Sequence, residues 1–369
     1  MKKFKKIMLI TLSIIGILVL GVFLFMQTAV FGTDPSGKRL ERIQHSSNYR
    51  DGSFQNLSPT SVSKEGVSMV KLMGNFFFNK PERSEPLESL PSVQTDLTTV
   101  QDDKPSIVWF GHSSYLITSK NKTVLVDPVF SGNSSPVSFF AKAFKGTNVY
   151  GVKDMPAIDV LVITHDHYDH LDYETILSLH PKVRKFYTSL GVGAHLEHWG
   201  IPADKIVEFD WWENQKISDS VELTAVPARH FSGRSFKRGK TLWSAFVLSI
   251  DGYKIFIGGD SGYDTHFKTI GEKYGPFDIA MLEAGQYGVN WPYIHMMPEE
   301  TIIAAKDLSA KVLMPVHWGK FALALHNWDE PINRVVQEAH KQNVKLTTPM
   351  IGQVVVLDSI YPEKEWWKK

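Results

Sequence analysis

Apolar residues fall along this chain in three rhythms. The first is an unbroken run over residues 7–26, with no charge inside it and Lys2, Lys3, Lys5 and Lys6 just ahead. At a rise of about 1.5 Å per residue it spans roughly 30 Å, the hydrocarbon thickness of a bilayer, which predicts one N-terminal transmembrane helix. The second is the stretch 67–78, where Val67, Met69, Val70, Leu72, Met73, Phe76, Phe77 and Phe78 predict a short helix packed on the main domain, with a membrane-dipping element as the alternative. The third begins at Ser106, where short apolar runs alternate with turns. Strands are predicted at 107–110, 114–118, 123–126 and 158–163, then at 221–226, 244–250, 253–257, 278–282 and 311–316, with helices at 173–179, 192–198, 265–274 and 298–308. Two strand-rich halves with helices between them predict an α/β fold of two sheets packed face to face under helical layers.

This divides the chain into a membrane anchor (1–31), a membrane-proximal extension and linker (32–105) and a catalytic-sized domain (106–369). Residues 33–56 read as polar and turn-rich, and 81–105, punctuated by Pro81, Pro86, Pro91 and Pro105, as a polar linker. Four lysines before the apolar span place the N-terminus in the cytoplasm and the chain beyond the span on the outer face of the cell membrane. A cleaved signal peptide is the alternative, with Val30-Phe31-Gly32 as cleavage site, although the apolar run is longer than such peptides carry. Cysteine is absent, so cysteine-bearing zinc sites, thiolate nucleophiles and disulfides are excluded. Lys+Arg 40 against Asp+Glu 39 leaves no field to draw nucleic acid.

The chemistry concentrates where the run 158–163 ends. Thr164-His165-Asp166-His167-Tyr168-Asp169-His170-Leu171-Asp172 crowds imidazoles and carboxylates, the ligands borderline divalent cations prefer, into one loop after a strand. His230, Asp260 and His317 also stand at or just past predicted strand ends, where a metal site needs its ligands held. Arg229, Arg234, Lys237, Arg238 and Lys240 form a basic cluster that reads as solvated surface able to draw anionic lipid.

The spacing His-x-His-x-Asp-His resembles the signature of the metallo-β-lactamase superfamily, and the downstream residues match in order. The resemblance implies an αββα sandwich, one metal held by His165, His167 and His230, a second by Asp169, His170 and His317, and Asp260 bridging both. No Glu replaces the second His, so two zinc ions are expected, with manganese or iron also admitted by the ligand set. Two neighbouring cations acidify a shared water towards neutrality and neutralise charge on substrate oxygens, which fixes hydrolysis but not the substrate.

Further phrases narrow the resemblance. Trp109-Phe110-Gly111-His112-Ser113-Ser114, Asp127-Pro128-Val129-Phe130-Ser131, Gly259-Asp260-Ser261-Gly262-Tyr263, Pro298-Glu299-Glu300 and His317-Trp318-Gly319-Lys320-Phe321-Ala322-Leu323-Ala324 are similar, in that order, to the N-acylphosphatidylethanolamine-hydrolysing phospholipase D branch over roughly residues 35–360. That branch implies a membrane phospholipid substrate, cleaved to phosphatidic acid and an N-acylethanolamine. The segment 229–240 departs from the mammalian pattern, which opens head-group and acyl preference. His295 matches a histidine near the site and is expected to be catalytic beside Asp260, while Tyr168, His112 and His326 are candidate substrate contacts. The rival expectations are a hydrolase of carboxyl esters, lactones or β-lactams, and a non-catalytic envelope protein that uses metal for folding.

Overall fold

The computed structural model describes residues 2–100 and 103–368. The N-terminal apolar run forms α1 (Lys2–Phe25), long and apolar enough to cross a membrane, with its large hydrophobic side chains exposed along its length. A single 3₁₀ turn, Ala29–Phe31, then leads into a segment laid against the body of the protein. In the stretch expected to be turn-rich, α2 (Gly37–His45) buries Ile43 and pairs Arg39 with Glu197 and Glu208. Next comes a hairpin, β1 (Tyr49–Arg50) with β2 (Ser53–Phe54), turning through Asp51 and Gly52, both at positive φ as tight hairpin turns require. The expected helix over 67–78 is α3 (Met69–Phe78), capped by the Ser68 hydroxyl, and its Leu72 is buried with Trp291, Ile294 and Ala324. Of the expected linker 81–105, residues 101 and 102 lie outside the described residues, and 81–100 pack against the body. Leu90 and Leu97 enter the main core, and Val93 N donates to Ile351 O at 2.8 Å.

From Ser106 onward the apolar runs become two sheets. The first holds β3 (Ser106–Trp109), β4 (Tyr115–Ser119), β5 (Lys122–Val126), β6 (Ile158–Ile163), β7 (Val183–Ser189) and β8 (Ile206–Phe209). The second holds β9 (Asn214–Ser218), β10 (Val221–Val226), β11 (Ala245–Ile250), β12 (Tyr253–Ile257), β13 (Ile279–Glu283) and β14 (Leu313–Val316), and β15 (Val354–Val356) returns to pair with β3. Strand order is β15-β3-β4-β5-β6-β7-β8 in one sheet and β14-β13-β12-β11-β10-β9 in the other.

Period-two alternation explains the layering. Along β11, Phe246, Leu248 and Ile250 point into the core between the sheets, while Ala245 and Val247 join the second core under the outer helices. That second core is completed by α6 (His266–Tyr274), α7 (Pro298–Asp307) and α8 (Glu330–Gln342), through Phe267, Ile270, Ile302, Val335 and Ala339. On the first sheet α4 (Tyr173–Leu179) and α5 (Gly193–His198) bury Ile176, Leu179 and Leu196. The architecture is the expected αββα sandwich of two sheets between helical layers. The expected strands omit β7, β8 and β9, where Arg184, Lys185, Glu208 and Lys216 interrupt the apolar runs, and the short β15; α8 is omitted as well, although Ile332, Val335, Val336 and Ala339 recur at helical spacing.

Strands β5 and β6 are parallel neighbours, as are β12, β13 and β14. Their carboxyl ends therefore emerge at common edges, where loops of a layered α/β fold gather ligands. The turns there are sharp: Asp127 (φ 39), Gly259 (φ 60) and His317 (φ 65) all adopt left-handed backbone. At Gly259 a side chain would crowd the Cβ of Thr164 and the carbonyl of Ser244, so the close approach of β12 to the ligand loop requires glycine.

Candidate metal centre

Strand β6 ends in Thr164 and His165, and the loop 165–171 turns back on itself through His170 N and Leu171 N, which both donate to His167 O. This points His165 and His167 to one side and Asp169 and His170 to the other. His230 arrives from the loop after β10, Asp260 from the end of β12 and His317 from the end of β14. The seven residues singled out in the sequence meet in one buried place. His165 Nε2 and His230 Nε2 stand 3.0 and 3.2 Å from His167 Nδ1. On the other side His317 Nε2 is 3.3 Å, and His170 Nε2 3.5 Å, from Asp169 Oδ2. Asp260 lies between the groups. Its Oδ1 is 3.2 Å from His170 Nε2, and its Oδ2 is 3.2 Å from His317 Nε2 and 3.7 and 3.8 Å from His230 and His165.

Outward contacts set the tautomers. His230 Nδ1–H donates to the Ile294 carbonyl (2.8 Å), His170 Nδ1–H to Asp127 (2.8 Å), and His165 Nδ1–H to the Thr164 hydroxyl (3.1 Å), which itself donates to Asp127 (2.7 Å). Each ring therefore turns its Nε2 lone pair inward, as a metal ligand must. His170 Nε2 and Asp260 Oδ1 face each other at 3.2 Å, fully buried, and among the described residues neither finds a hydrogen-bond partner of acceptable geometry. A buried imidazole nitrogen and a buried carboxylate oxygen aimed at one point call for a cation between them, either a proton or a metal ion. Nitrogens bound to one zinc at about 2.0–2.1 Å in a tetrahedral site stand roughly 3.4 Å apart, close to the gaps among the three imidazoles. The residues fit metal, and the His/Asp clusters are able to bind it.

The electrostatics divide the centre. Burial, reinforced by neighbouring imidazoles, pushes His165 and His230 well below the ordinary histidine range. Burial acts the same way on His170 and His317, but in the metal-free centre Asp260 with Asp169, and with Asp127 and Glu283 respectively, outweighs it and holds both well above that range, so each keeps a proton that a bound cation would displace. The same pairing, led by His170, keeps Asp169 and Asp260 ionised against their burial.

The other candidates are placed differently. His295 lies beside the centre, its ring 5.0 Å from that of His230 and 5.3 Å from that of His317, and its Nδ1 is 2.6 Å from Glu283 Oε2. His112 lies beneath the centre, not at its mouth: it is fully buried, with Nε2 2.8 Å from Asp169 Oδ2, and has no surface to offer a substrate. His326 spends both nitrogens on backbone, accepting from Gln286 N (3.1 Å) and donating to Asn327 O (2.9 Å), so it serves as a loop brace. Tyr168 donates its hydroxyl to Arg234 O (2.7 Å) and packs edge-on against Phe31. The basic cluster is not uniformly solvated either, because Arg234 is 4% exposed.

Sequence reasoning left Asp127, Glu283 and Asn56 without roles. Asp127 braces His170 and Thr164, buried Glu283 accepts from Met296 N (2.8 Å) as well as facing His295, and Asn56 clasps the His230 backbone through both its N–H and its carbonyl. A carboxylate ending an apolar strand, as Asp127 and Glu283 both do, is the signal that would have found the first two. A cavity of about 480 Å³ adjoins His230 and Phe231 and is lined also by Arg50, Asn56, Arg238 and Trp243.

Residues 122–318 match the family described as the beta-lactamase superfamily domain. An uncharacterized protein of Mycobacterium tuberculosis is 37% identical over 344 residues, covering 92% of each chain. An N-acyl-phosphatidylethanolamine-hydrolyzing phospholipase D of Caenorhabditis elegans is 30% identical over 228 residues, 58% of this chain and 64% of the relative. Among solved structures, a metallo hydrolase of the archaeon Ignicoccus hospitalis superposes with a TM-score of 0.54 at 20% identity, over 70% of this chain and 100% of that one. With matched domain, shared fold and a His/Asp centre able to bind metal, the chain belongs to the metallo-β-lactamase superfamily and is a metal-dependent hydrolase.

Proposed function

We propose that this protein is a membrane-anchored phosphodiesterase of phospholipase D type, cleaving N-acylphosphatidylethanolamine-like lipid to phosphatidic acid and an N-acylethanolamine. The observation that carries the reading is Asp260 lying between two ligand groups, which supports a pair of metal sites: His165, His167 and His230 for one, Asp169, His170 and His317 for the other. Two bound divalent cations, zinc in this proposal, would acidify water and neutralise the charge of a phosphodiester. The protein's own groups do the rest. His295, with Nδ1 held by Glu283, keeps Nε2 as the nitrogen able to protonate the leaving oxygen. The cavity beside His230 offers Arg50 and Arg238 for an anionic head group.

The phospholipase D of Caenorhabditis elegans supports the choice of lipid, and α1 supports delivery of that lipid, since a bilayer-held enzyme meets it at high local concentration. Topology follows from the four leading lysines: N-terminus inside, hydrolase domain outside. The test is mass spectrometry of products after zinc-loaded protein meets N-acylphosphatidylethanolamine in mixed micelles, with His165→Ala as control. Phosphatidic acid and N-acylethanolamine made only by the intact site are expected. No product from metal-replete protein overturns the lipid assignment and turns attention to carboxyl esters, lactones and β-lactams.

A further inference from the structure

The chain leaves α1 and touches the hydrolase body at the outer side of the ligand loop. Trp199 Nε1 donates to Ala29 O (2.7 Å). The buried Arg234 donates Nε and Nη2 to Val30 O (3.1 and 2.8 Å), and Nη1 to Asp166 O (2.8 Å) and Leu171 O (2.7 Å). One guanidinium thus ties the connecting segment to both ends of the loop that carries His167, Asp169 and His170. Those three carbonyls, with the faces of Tyr168 and Trp199, are what hold this buried cation in place. Tyr168, at the middle of the loop, lies under the same guanidinium, 4.1 Å from it, and against Phe31, which also meets Phe25 of α1 edge to face.

A second connection runs in parallel. Thr33 N donates to His195 Nδ1 (3.0 Å), and His195 Nε2 donates to Asp166 Oδ2 (3.3 Å), the carboxylate between the first two ligand histidines. Asp166 Oδ1 also accepts from Gly233 N (2.7 Å) beside Arg234. Gly32 (φ 69) sits so close to His195 that a Cβ there would overlap the ring.

We propose that Ala29–Thr33 is a positioning element of the metal centre, which, through Arg234 and His195, makes the membrane helix and the ligand loop one mechanical unit. The segment is then more than a tether, and the chain has to keep it: cleavage after Phe31 would remove the Ala29 and Val30 carbonyls and the Phe31 ring together. Because the loop's back is fixed to the point where α1 ends, the centre is also held close to the bilayer from which a lipid would come. The inference rests on the ligand assignment proposed above.

Linkage gives a test that a simple tether cannot pass, since a segment that stabilises the metal-binding loop must itself be stabilised by metal. Full-length zinc-loaded protein in detergent micelles is challenged with a chromogenic chelator, and amide hydrogen exchange at residues 31–33 is compared with and without zinc. Gly32→Val and Arg234→Lys are each expected to release zinc roughly tenfold faster, within the range seen when groups behind metal ligands are altered. The double variant should be no faster than the worse single one, because both cut the same connection. Trp199→Phe, which deletes one donor and leaves the loop untouched, should show a smaller acceleration and guards against a misfolded Gly32→Val. Zinc should slow exchange at residues 31–33 in the natural chain. Wild-type release rates in all three variants, with exchange indifferent to zinc, overturn the proposal. Full zinc retention by His165→Ala would instead overturn the ligand assignment beneath it.

Discussion

The two sides of the metal centre are braced by different chemistry. On the side of His165, His167 and His230 the groups in direct contact with His165 and His230 are neutral: the Thr164 hydroxyl, which passes on to Asp127, the Ile294 carbonyl and the Asn56 amide. Behind Asp169, His170 and His317 stand ionisable ones: His112, Asp127 and Glu283. A carboxylate behind an imidazole raises its basicity as well as fixing its ring, whereas a hydroxyl or carbonyl mostly fixes the ring. The neutral side also includes half-buried His167 and adjoins the 480 Å³ cavity through His230. On the proposed assignment, the carboxylate-backed side holds its cation more tightly and the neutral side faces the substrate.

Asp260 belongs to both sides, and its loss should erase the comparison altogether. Asp260→Asn is expected to lower kcat/KM by at least about 10³-fold while circular dichroism keeps the native spectrum, since the substitution preserves shape and removes the shared charge. Turnover near that of the natural protein would remove Asp260 from between two metals. Glu283 comes next, because it serves His295 on one hand and lies 3.4 Å from His317 Nδ1 on the other. Glu283→Gln should cut kcat roughly 10²-fold with KM little changed, and the loss should shrink for a substrate whose leaving group needs no proton. An equal loss with both kinds of substrate would assign Glu283 to the metal side alone.

The asymmetry itself is tested at Asp127. Asp127→Asn leaves a hydrogen-bond acceptor for His170 but removes the charge and, on the proposed two-metal assignment, should weaken the equivalent that His170 would hold by about 10–100-fold and the other, reached only through the Thr164 hydroxyl, by less. Competition with a chelator of known affinity reads the two equivalents separately, and uniform weakening would mean that the centre behaves as one unit. Acid sensitivity needs to be separated from the scaffold's own. Burial pushes the His266 imidazole, beside Ser261, down to about 4. Between the free value of 6.5 and that point the unfolded chain takes up a proton the folded one refuses, so stability falls as pH falls through this window, by up to about 3 kcal/mol. His266→Phe should flatten that limb in thermal melts from pH 7 to 4, leaving whatever slope the metal centre contributes.

The layered fold is legible in the sequence because its central strands are buried on both faces and read as plain apolar runs, β6 above all. The seven residues the structure gathers are legible for a related reason: each comes after such a run, and strand ends in a layered α/β fold converge. Their surroundings are not. Asp127 and Glu283 end apolar strands just as a ligand does, and nothing in the local pattern distinguishes a carboxylate that binds metal from one that steadies the residue that does. Arg234 lies in a run of Arg and Lys with the composition of solvated surface, and it is buried by residues far away in sequence: Val30, the Asp166–Leu171 loop and Trp199. His112 and His326 resemble substrate contacts until the first is seen to be fully buried and the second to spend both nitrogens on backbone.

The smallest effect expected separates the comparison from a mere count of contacts. Asn56 makes two hydrogen bonds to the His230 backbone, at 2.8 and 3.1 Å, and its carbonyl also accepts from Trp243 Nε1 at 3.1 Å. By number it braces the neutral side more heavily than Asp127 braces His170. It carries no charge, however, and acts on the backbone and not on the imidazole. Asn56→Ala should therefore reduce stability by about 1–3 kcal/mol, as befits lost hydrogen bonds to buried groups, yet weaken metal binding by less than about tenfold. Thermal unfolding of the metal-free protein and chelator competition on the loaded protein measure the two quantities independently. If Asn56→Ala weakens metal as much as Asp127→Asn does, rigidity alone governs the centre and the charge behind His170 is incidental.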